Sequence, residues 1–143
     1  ALTIGTLDGA NVEMRDHVGA ENIQIFGMSA EEVAQVRAEG HNPRAIIEAS
    51  RELAQALHAI GSGVFSPDDP GRFSSLVEGL YQHDWFLVAG DFDSYAHAQR
   101  EIDRTWTDEK QWWGKAIRNT ARMGWFSSDR TIRQYAKEIW KAG

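Results

Sequence analysis

The sequence predicts an α/β chain that opens with a βαβ unit and continues mainly as helices, and three observations predict it. Two short runs rich in β-branched and apolar residues, Leu2 to Thr6 and Ile23 to Phe26, flank a stretch with helical spacing. From Ser29 onward the apolar residues recur at three- and four-residue intervals. The three prolines stand at 43, 67 and 70, so long helices can form before and after them without interruption.

Taken in order, the run Ala1 to Thr6 reads as a strand that stops at Leu7-Asp8-Gly9, a helix follows over Ala10 to Val18, and Gly19 suits its C-terminus. Ile23-Gln24-Ile25-Phe26 is a second strand closed by Gly27, and two strands joined by one helix form a parallel, right-handed βαβ unit. Ser29-Ala30-Glu31-Glu32 is a capping box, and Gly40 marks the end of that helix. Asn42-Pro43 starts the next helix, whose Ile46, Ala49, Leu53, Leu57 and Ile60 line one face up to Gly61. The Gly-, Ser-, Pro- and Asp-rich stretch from Gly61 to Gly71 is a surface loop. A short amphipathic helix follows with Phe73, Leu76, Val77 and Leu80, and Trp85 to Val88 reads as a third short strand. Three helices finish the chain, through Tyr95, Ala98, Ile102 and Trp106; from Thr107-Asp108 through Trp113, Ile117 and Thr120; and from Ser127-Ser128-Asp129 through Ile132, Tyr135, Ala136, Ile139 and Trp140. The organisation is therefore a βαβ unit over residues 1–27 and a mainly helical part over 28–143.

A 143-residue chain with 42% hydrophobic residues can build one core without staples, and with no cysteine it has neither disulfides nor thiolate metal sites. The net charge of -6 argues against nucleic acid, whose binding relies on clustered Lys and Arg. No apolar run approaches the roughly 20 residues needed to span a bilayer, so no membrane partner is expected and the reading is a soluble, cytoplasmic chain. Two parallel strands make a marginal sheet, since such strands ordinarily lie inside a larger one with both faces covered. The sheet is expected to continue in a partner chain or in upstream sequence, and a first residue that is Ala1 rather than Met favours the second.

Each motif with chemical potential has a plainer reading beside it. Leu7-Asp8-Gly9-Ala10-Asn11, between a strand and a helix, could hold a phosphate on backbone amides, or Asp8 could simply cap the helix while Gly9 permits the turn. Gly61-Ser62-Gly63 lacks a third glycine at position 66 and an immediately preceding strand, so it reads as a flexible loop rather than a nucleotide site. His17, His41, His58, His83 and His97 show no metal-ligand spacing. Asp68-Asp69 and Asp91 with Asp93 are the nearest to paired carboxylates, yet a turn and a helix start explain them without chemistry. Trp106, Trp112, Trp113, Trp125 and Trp140 could stack on sugar faces, but their helical spacing with Ile102, Ile117, Ile132 and Ile139 favours core or interdomain packing.

The run Ala1-Leu2-Thr3-Ile4-Gly5-Thr6-Leu7-Asp8-Gly9-Ala10-Asn11-Val12-Glu13-Met14 resembles the segment that follows the cofactor lysine in α-glucan phosphorylases. The resemblance continues through Ile25-Phe26-Gly27-Met28, Gly63-Val64-Phe65-Ser66-Pro67, and Asp91-Phe92 with Tyr95 and Gln99. It closes with Asn119, Gly124, Phe126-Ser127-Ser128-Asp129-Arg130-Thr131-Ile132, Tyr135-Ala136 and Ile139-Trp140, in the family's order. Thr120, Met123 and Trp125 depart from it, standing where the family more often has an apolar, a small and a basic residue.

What the resemblance implies is that residues 1–143 are the terminal part of a Rossmann-like, glycosyltransferase-B type C-terminal domain. The parent would use pyridoxal 5'-phosphate to cleave terminal α-1,4-glucosyl units of an α-glucan with inorganic phosphate, giving glucose 1-phosphate, and would be a homodimer. The cofactor lysine is expected just upstream of Ala1, and no catalytic, cofactor-binding or metal-binding residue of the family maps onto this chain. The segment's expected partner is the remainder of the same polypeptide, and its expected role is structural, without activity alone. The alternative is a stand-alone acidic helical module that binds a partner protein or a glucan.

Overall fold

The computed structural model describes residues 2–142. Ala1, which the sequence attached to the first strand run, lies outside the described residues. The chain forms two compact units, one built from the segment up to Ile25 together with the segment from Arg100 onward, the other from Phe26–Gln99.

The first unit contains the βαβ opening up to Ile25, one residue short of the end of its second strand. β1 (Ile4–Thr6), α1 (Ala10–Val18) and β2 (Gln24–Phe26) follow one another, and the two strands pair in parallel. Both strands are shorter than the apolar runs suggested, because pairing rather than propensity sets a strand's length. Ile23 is extended and buried but stands before the paired residues, and the Thr3 carbonyl accepts from the Gln24 amide at 2.9 Å. All three residues of each strand remain half-buried. A single 3-10 turn, Ala20–Asn22, enters β2.

The expected cap is corrected. α1 is preceded by Gly9 with no side-chain hydrogen bond, and the Asp8 carboxylate turns back to accept from Thr6 Oγ1 at 3.1 Å. The turn is held instead by Asn11, whose Nδ2 donates to the Thr6 carbonyl at 2.9 Å.

The second unit contains the first capping box read from the sequence. The helix α2 (Ala30–Glu39) is entered through Ser29, whose Oγ accepts from the Glu32 amide at 3.2 Å while Glu32 Oε2 accepts from the Ser29 amide at 2.7 Å. The backbone bond and then the side-chain bond to Ser29 hold the Glu32 carboxyl below its ordinary value near 4.5. That contribution is present above the ordinary value and is lost as pH falls through the lowered one.

The single long helix expected after Asn42-Pro43 is two helices, α3 (Pro43–Ala49) and α4 (Arg51–Gly61). Ser50 breaks them with an extended backbone, caps α4 through its Oγ toward the Leu53 amide, and donates to Asp93 Oδ1 at 2.7 Å. The break re-aims the face, so that Ile47 rather than Ile46 is fully buried, with Leu53, Leu57 and Ala89. Ile60, Val77, Leu80 and Phe92 pack around this core from α4, from α5 (Ser74–Gln82) and from the start of α6 (Val88–Thr107).

The expected surface loop is a chain of turns, and Gly63 holds it closed. Its φ of +79° suits glycine, and a Cβ there would stand 2.7 Å from Pro70 Cα.

Trp85 to Val88 is not a strand. Asp84 and Leu87 have φ of 39° and 57°, which no β-ladder accepts, and the segment is a tight turn into α6. Its organiser is Asp84, with a side chain fully shielded from solvent. Asp84 Oδ1 accepts from the Val88 amide at 2.8 Å, and Oδ2 accepts from the Ala89 amide at 3.0 Å and from His41 Nε2 at 2.9 Å. Amides at a helix start have no partners within the helix, so this carboxylate satisfies two of them and ties α6 to the loop before α3.

The first unit closes with the last turns of α6, α7 (Glu109–Arg122), a 3-10 turn at Met123–Phe126 and α8 (Ser128–Tyr135). The helix expected to run to Trp140 widens instead into a π turn over Ala136–Trp140, ended by Lys141 in the left-handed region, where the Ala142 amide reaches back to the Ala136 carbonyl at 2.9 Å.

Replacing Asp84 by Ala strands the His41 ring and two helix-start amides in a buried site. The expected loss is about 1–3 kcal/mol for each buried group left without its acceptor, whereas Asp93→Ala, at an exposed hydrogen bond, is expected to cost under about 1 kcal/mol. Urea denaturation of the two variants checks the difference.

Candidate functional site

The residues singled out in the sequence are dispersed into structural roles. Asp68 and Asp69 pair with Arg72 on the loop, at 2.7 and 3.8 Å. Asp91 and Asp93 lie inside α6 rather than before it. Asp91 Oδ1 accepts from the Met28 amide at 2.9 Å, and Gly27, at φ +80°, would bring any Cβ to 2.6 Å from Asp91 Oδ2. Asp91 therefore holds a backbone turn and Asp93 accepts from the Ser50 hydroxyl at 2.7 Å, structural roles that account for both carboxylates. Among the described residues no group of three or more His, Asp or Glu could hold a metal ion, and no helix is long and apolar enough to cross a membrane.

The most organised polar site was not read from the sequence. On α7, Lys115, Asn119 and Arg122 follow at four- and three-residue spacing and so share one face. Lys115 Nζ donates to the Glu21 carbonyl at 2.6 Å, Asn119 Nδ2 to the Asn22 carbonyl at 2.7 Å, and Arg122 Nη1 to the Val18 carbonyl at 3.0 Å. These carbonyls belong to the end of α1 and the 3-10 turn, where helical partners run out and the helix dipole favours cations. Asn22, almost wholly buried, adds its own Nδ2 to the Val18 carbonyl at 2.7 Å. The signal in the sequence was the polar spacing itself, masked by the interleaved Trp113 and Ile117.

This network borders an open groove of about 600 Å³ lined by Lys110, Lys115, Arg118, Gln111 and Glu21. Pyridoxal 5'-phosphate needs a lysine free to form an imine inside an enclosing cavity. Lys115 is committed to a carbonyl, and Lys110 stands exposed on the open groove. Lys137 and Lys141 are also exposed. The residues present do not fit the cofactor, and no chemistry is derived through it.

The tryptophans divide into different environments. Trp125, one of the departures from the family pattern, is stacked between the His17 ring, 4.5 Å away at 26°, and the Arg130 guanidinium 4.0 Å from its centroid. Trp106 and Trp112 meet edge to face at 4.7 Å and 88°. Trp106, Trp113 and Trp140 stand 62%, 59% and 59% exposed, so packing within this chain does not account for them. Along α8 and the π turn, Ile132, Tyr135 and Ile139 are likewise exposed beside Trp140.

Comparison with known proteins assigns a relationship to the whole chain. Residues 1–142 match the model of the carbohydrate phosphorylase family. The chain is 50% identical over 140 residues to the brain form of glycogen phosphorylase from Mus musculus, covering 98% of this chain and 17% of that protein. It is 45% identical over 141 residues to glycogen phosphorylase from Haemophilus influenzae, covering 99% of this chain and 17% of that one. To glycogen phosphorylase from Synechocystis it is 46% identical over 140 residues, covering 98% and 16%. The chain thus spans about a sixth of the length of these relatives.

Asn119→Leu keeps the size of the side chain but leaves the buried Asn22 carbonyl without its donor. The expected cost is about 1–3 kcal/mol, whereas Arg118→Leu, on the exposed side of α7, is expected to change stability by less than about 0.5 kcal/mol. Thermal unfolding of both variants measures it.

Proposed function

This chain belongs to the carbohydrate phosphorylase family, and from that premise we propose that it is the C-terminal segment of an α-glucan phosphorylase. The parent cleaves terminal α-1,4-glucosyl units with inorganic phosphate to give glucose 1-phosphate, is cytoplasmic, uses pyridoxal 5'-phosphate bound by a lysine upstream of this segment, and works as a homodimer. Residues 1–143 form the last part of its Rossmann-like, glycosyltransferase-B type second domain, with the βαβ unit over 1–27 and the mainly helical part over 28–143. No residue of the segment touches the reacting atoms; its task is to extend the sheet and brace the domain.

The observation that carries this reading is the set of large apolar side chains left exposed along α8 and the π turn. Ile132, Ile139 and Trp140 are 54%, 63% and 59% exposed, an arrangement that costs free energy in water unless another surface covers it. The two half-buried strands support the same conclusion, because parallel sheets are ordinarily covered on both faces. In a polypeptide of the relatives' length, about six times that of this chain, the remainder would offer both kinds of cover.

Two measurements test the proposal. The full-length protein is expected to release glucose 1-phosphate from maltoheptaose and phosphate, and the isolated segment to release none; turnover by the segment alone overturns the structural role. Trp140→Ala is expected to cost about 3–5 kcal/mol in the full-length protein, where the ring is covered, and under about 1 kcal/mol in the isolated chain. Equal and small losses in both settings remove the bracing role.

A further inference from the structure

The corner between α6 and α7 differs in chemistry from the apolar face of α8. α6 ends at Thr107, Asp108 caps α7 by accepting from the Gln111 amide at 3.0 Å, and the chain turns between them. The turn brings Trp106 from the end of one helix against Trp112 in the first turns of the next. Trp106, Thr107, Glu109, Trp112 and Trp113 line a groove of about 390 Å³, within the roughly 300–1,000 Å³ range of small-molecule sites.

Two indoles at right angles offer a floor and a wall, and Trp113 adds a third, largely exposed ring. Polar acceptors stand among them. Thr107 Oγ1 donates to the Arg104 carbonyl at 2.8 Å, which leaves its lone pairs available, and the Glu109 carboxylate lines the groove. A ligand suited to this lining has flat C–H faces for the rings and hydroxyls for the acceptors. It is also not an anion, because Glu109 would repel one and the chain as a whole carries a charge of -6. Those requirements describe a neutral pyranose sugar.

We propose that the Trp106–Trp112–Trp113 corner is a binding site for the glucosyl units of a neutral α-glucan, with the indoles as stacking platforms and Glu109 and Thr107 accepting from sugar hydroxyls. The proposal rests on the reading of the chain as part of an α-glucan phosphorylase, which brings a polymer of this chemistry to the molecule. It assigns the corner to holding polymer rather than to the reaction.

The test uses the full-length protein in native gels containing glycogen, with phosphorolysis of maltoheptaose and thermal unfolding measured on the same samples. Trp106→Ala/Trp113→Ala is expected to weaken glycogen affinity about tenfold, and Trp113→Phe, which keeps a ring, less than about threefold. The rate on maltoheptaose and the melting temperature are expected to stay unchanged. Unchanged retardation of the double variant overturns the site. So does a melting temperature lowered by Ala and restored by Phe with no change in glycogen affinity, because the corner would then be packed against the rest of the protein. Absence of phosphorolysis in the unsubstituted protein would instead overturn the enzymatic reading, and the gel would still report on the corner.

Discussion

Buried polar side chains that complete the backbone at turns are the interactions on which both units depend. In the second unit one carboxylate, Asp84, receives two amides at the start of α6 and the ring of His41. A charge with no solvent access is tolerable only when its acceptor capacity is filled, and here the filling groups come from separate places in the chain. The same carboxylate explains why Asp84 and Leu87 occupy the left-handed region: the turn must double back sharply enough for the carboxylate to reach amides four and five residues ahead. In the first unit the arrangement is inverted, with donors on α7 supplied to carbonyls left open at the end of α1.

Because polar anchoring fixes the turns, the modest apolar core does not have to. That core gathers Ile47, Leu53, Leu57 and Ala89 in the second unit, while Trp106, Trp113 and Trp140 of the first unit stay largely exposed. A domain selected to stand alone would be expected to reverse this distribution, since aromatic burial carries much of the available hydrophobic stabilisation. The distribution is the one expected of a segment of a longer protein, as proposed above, whose exposed surfaces become internal in the whole.

The tryptophans illustrate how one residue type divides by surroundings. Trp125 is consumed by a stack with His17 and Arg130, which gives the departure at this position a local packing role. Trp140, like Ile132 and Ile139 on the same stretch, is exposed and apolar and suits cover by protein. Trp106, Trp112 and Trp113 share a groove with a carboxylate and a hydroxyl and suit a ligand that is apolar on its faces and polar at its rim.

The sequence by itself determined the βαβ opening, the Ser29–Glu32 capping box, the Asn42-Pro43 helix start, most helix positions and the family. Those features are local, or are carried by residue strings long enough to be specific. Only the tertiary structure decided that Ser50 splits a continuous apolar face, that Asp8 does not cap α1, and that Trp85 to Val88 is a turn. It also decided that Asp91 holds the Met28 backbone, that Asp93 accepts from the Ser50 hydroxyl, and that α7 directs Lys115, Asn119 and Arg122 onto one run of carbonyls. In the cases of Ser50, Asp91 and Asp93, the deciding partner lies more than 40 residues away in the chain, and Asp84 adds His41 at the same range to two amides four and five residues ahead. For the α7 donors the separation exceeds 90. Periodicity reports which face of an element is apolar, but the destination of a polar side chain depends on which distant backbone group lacks a partner, and that is settled only when the chain has folded.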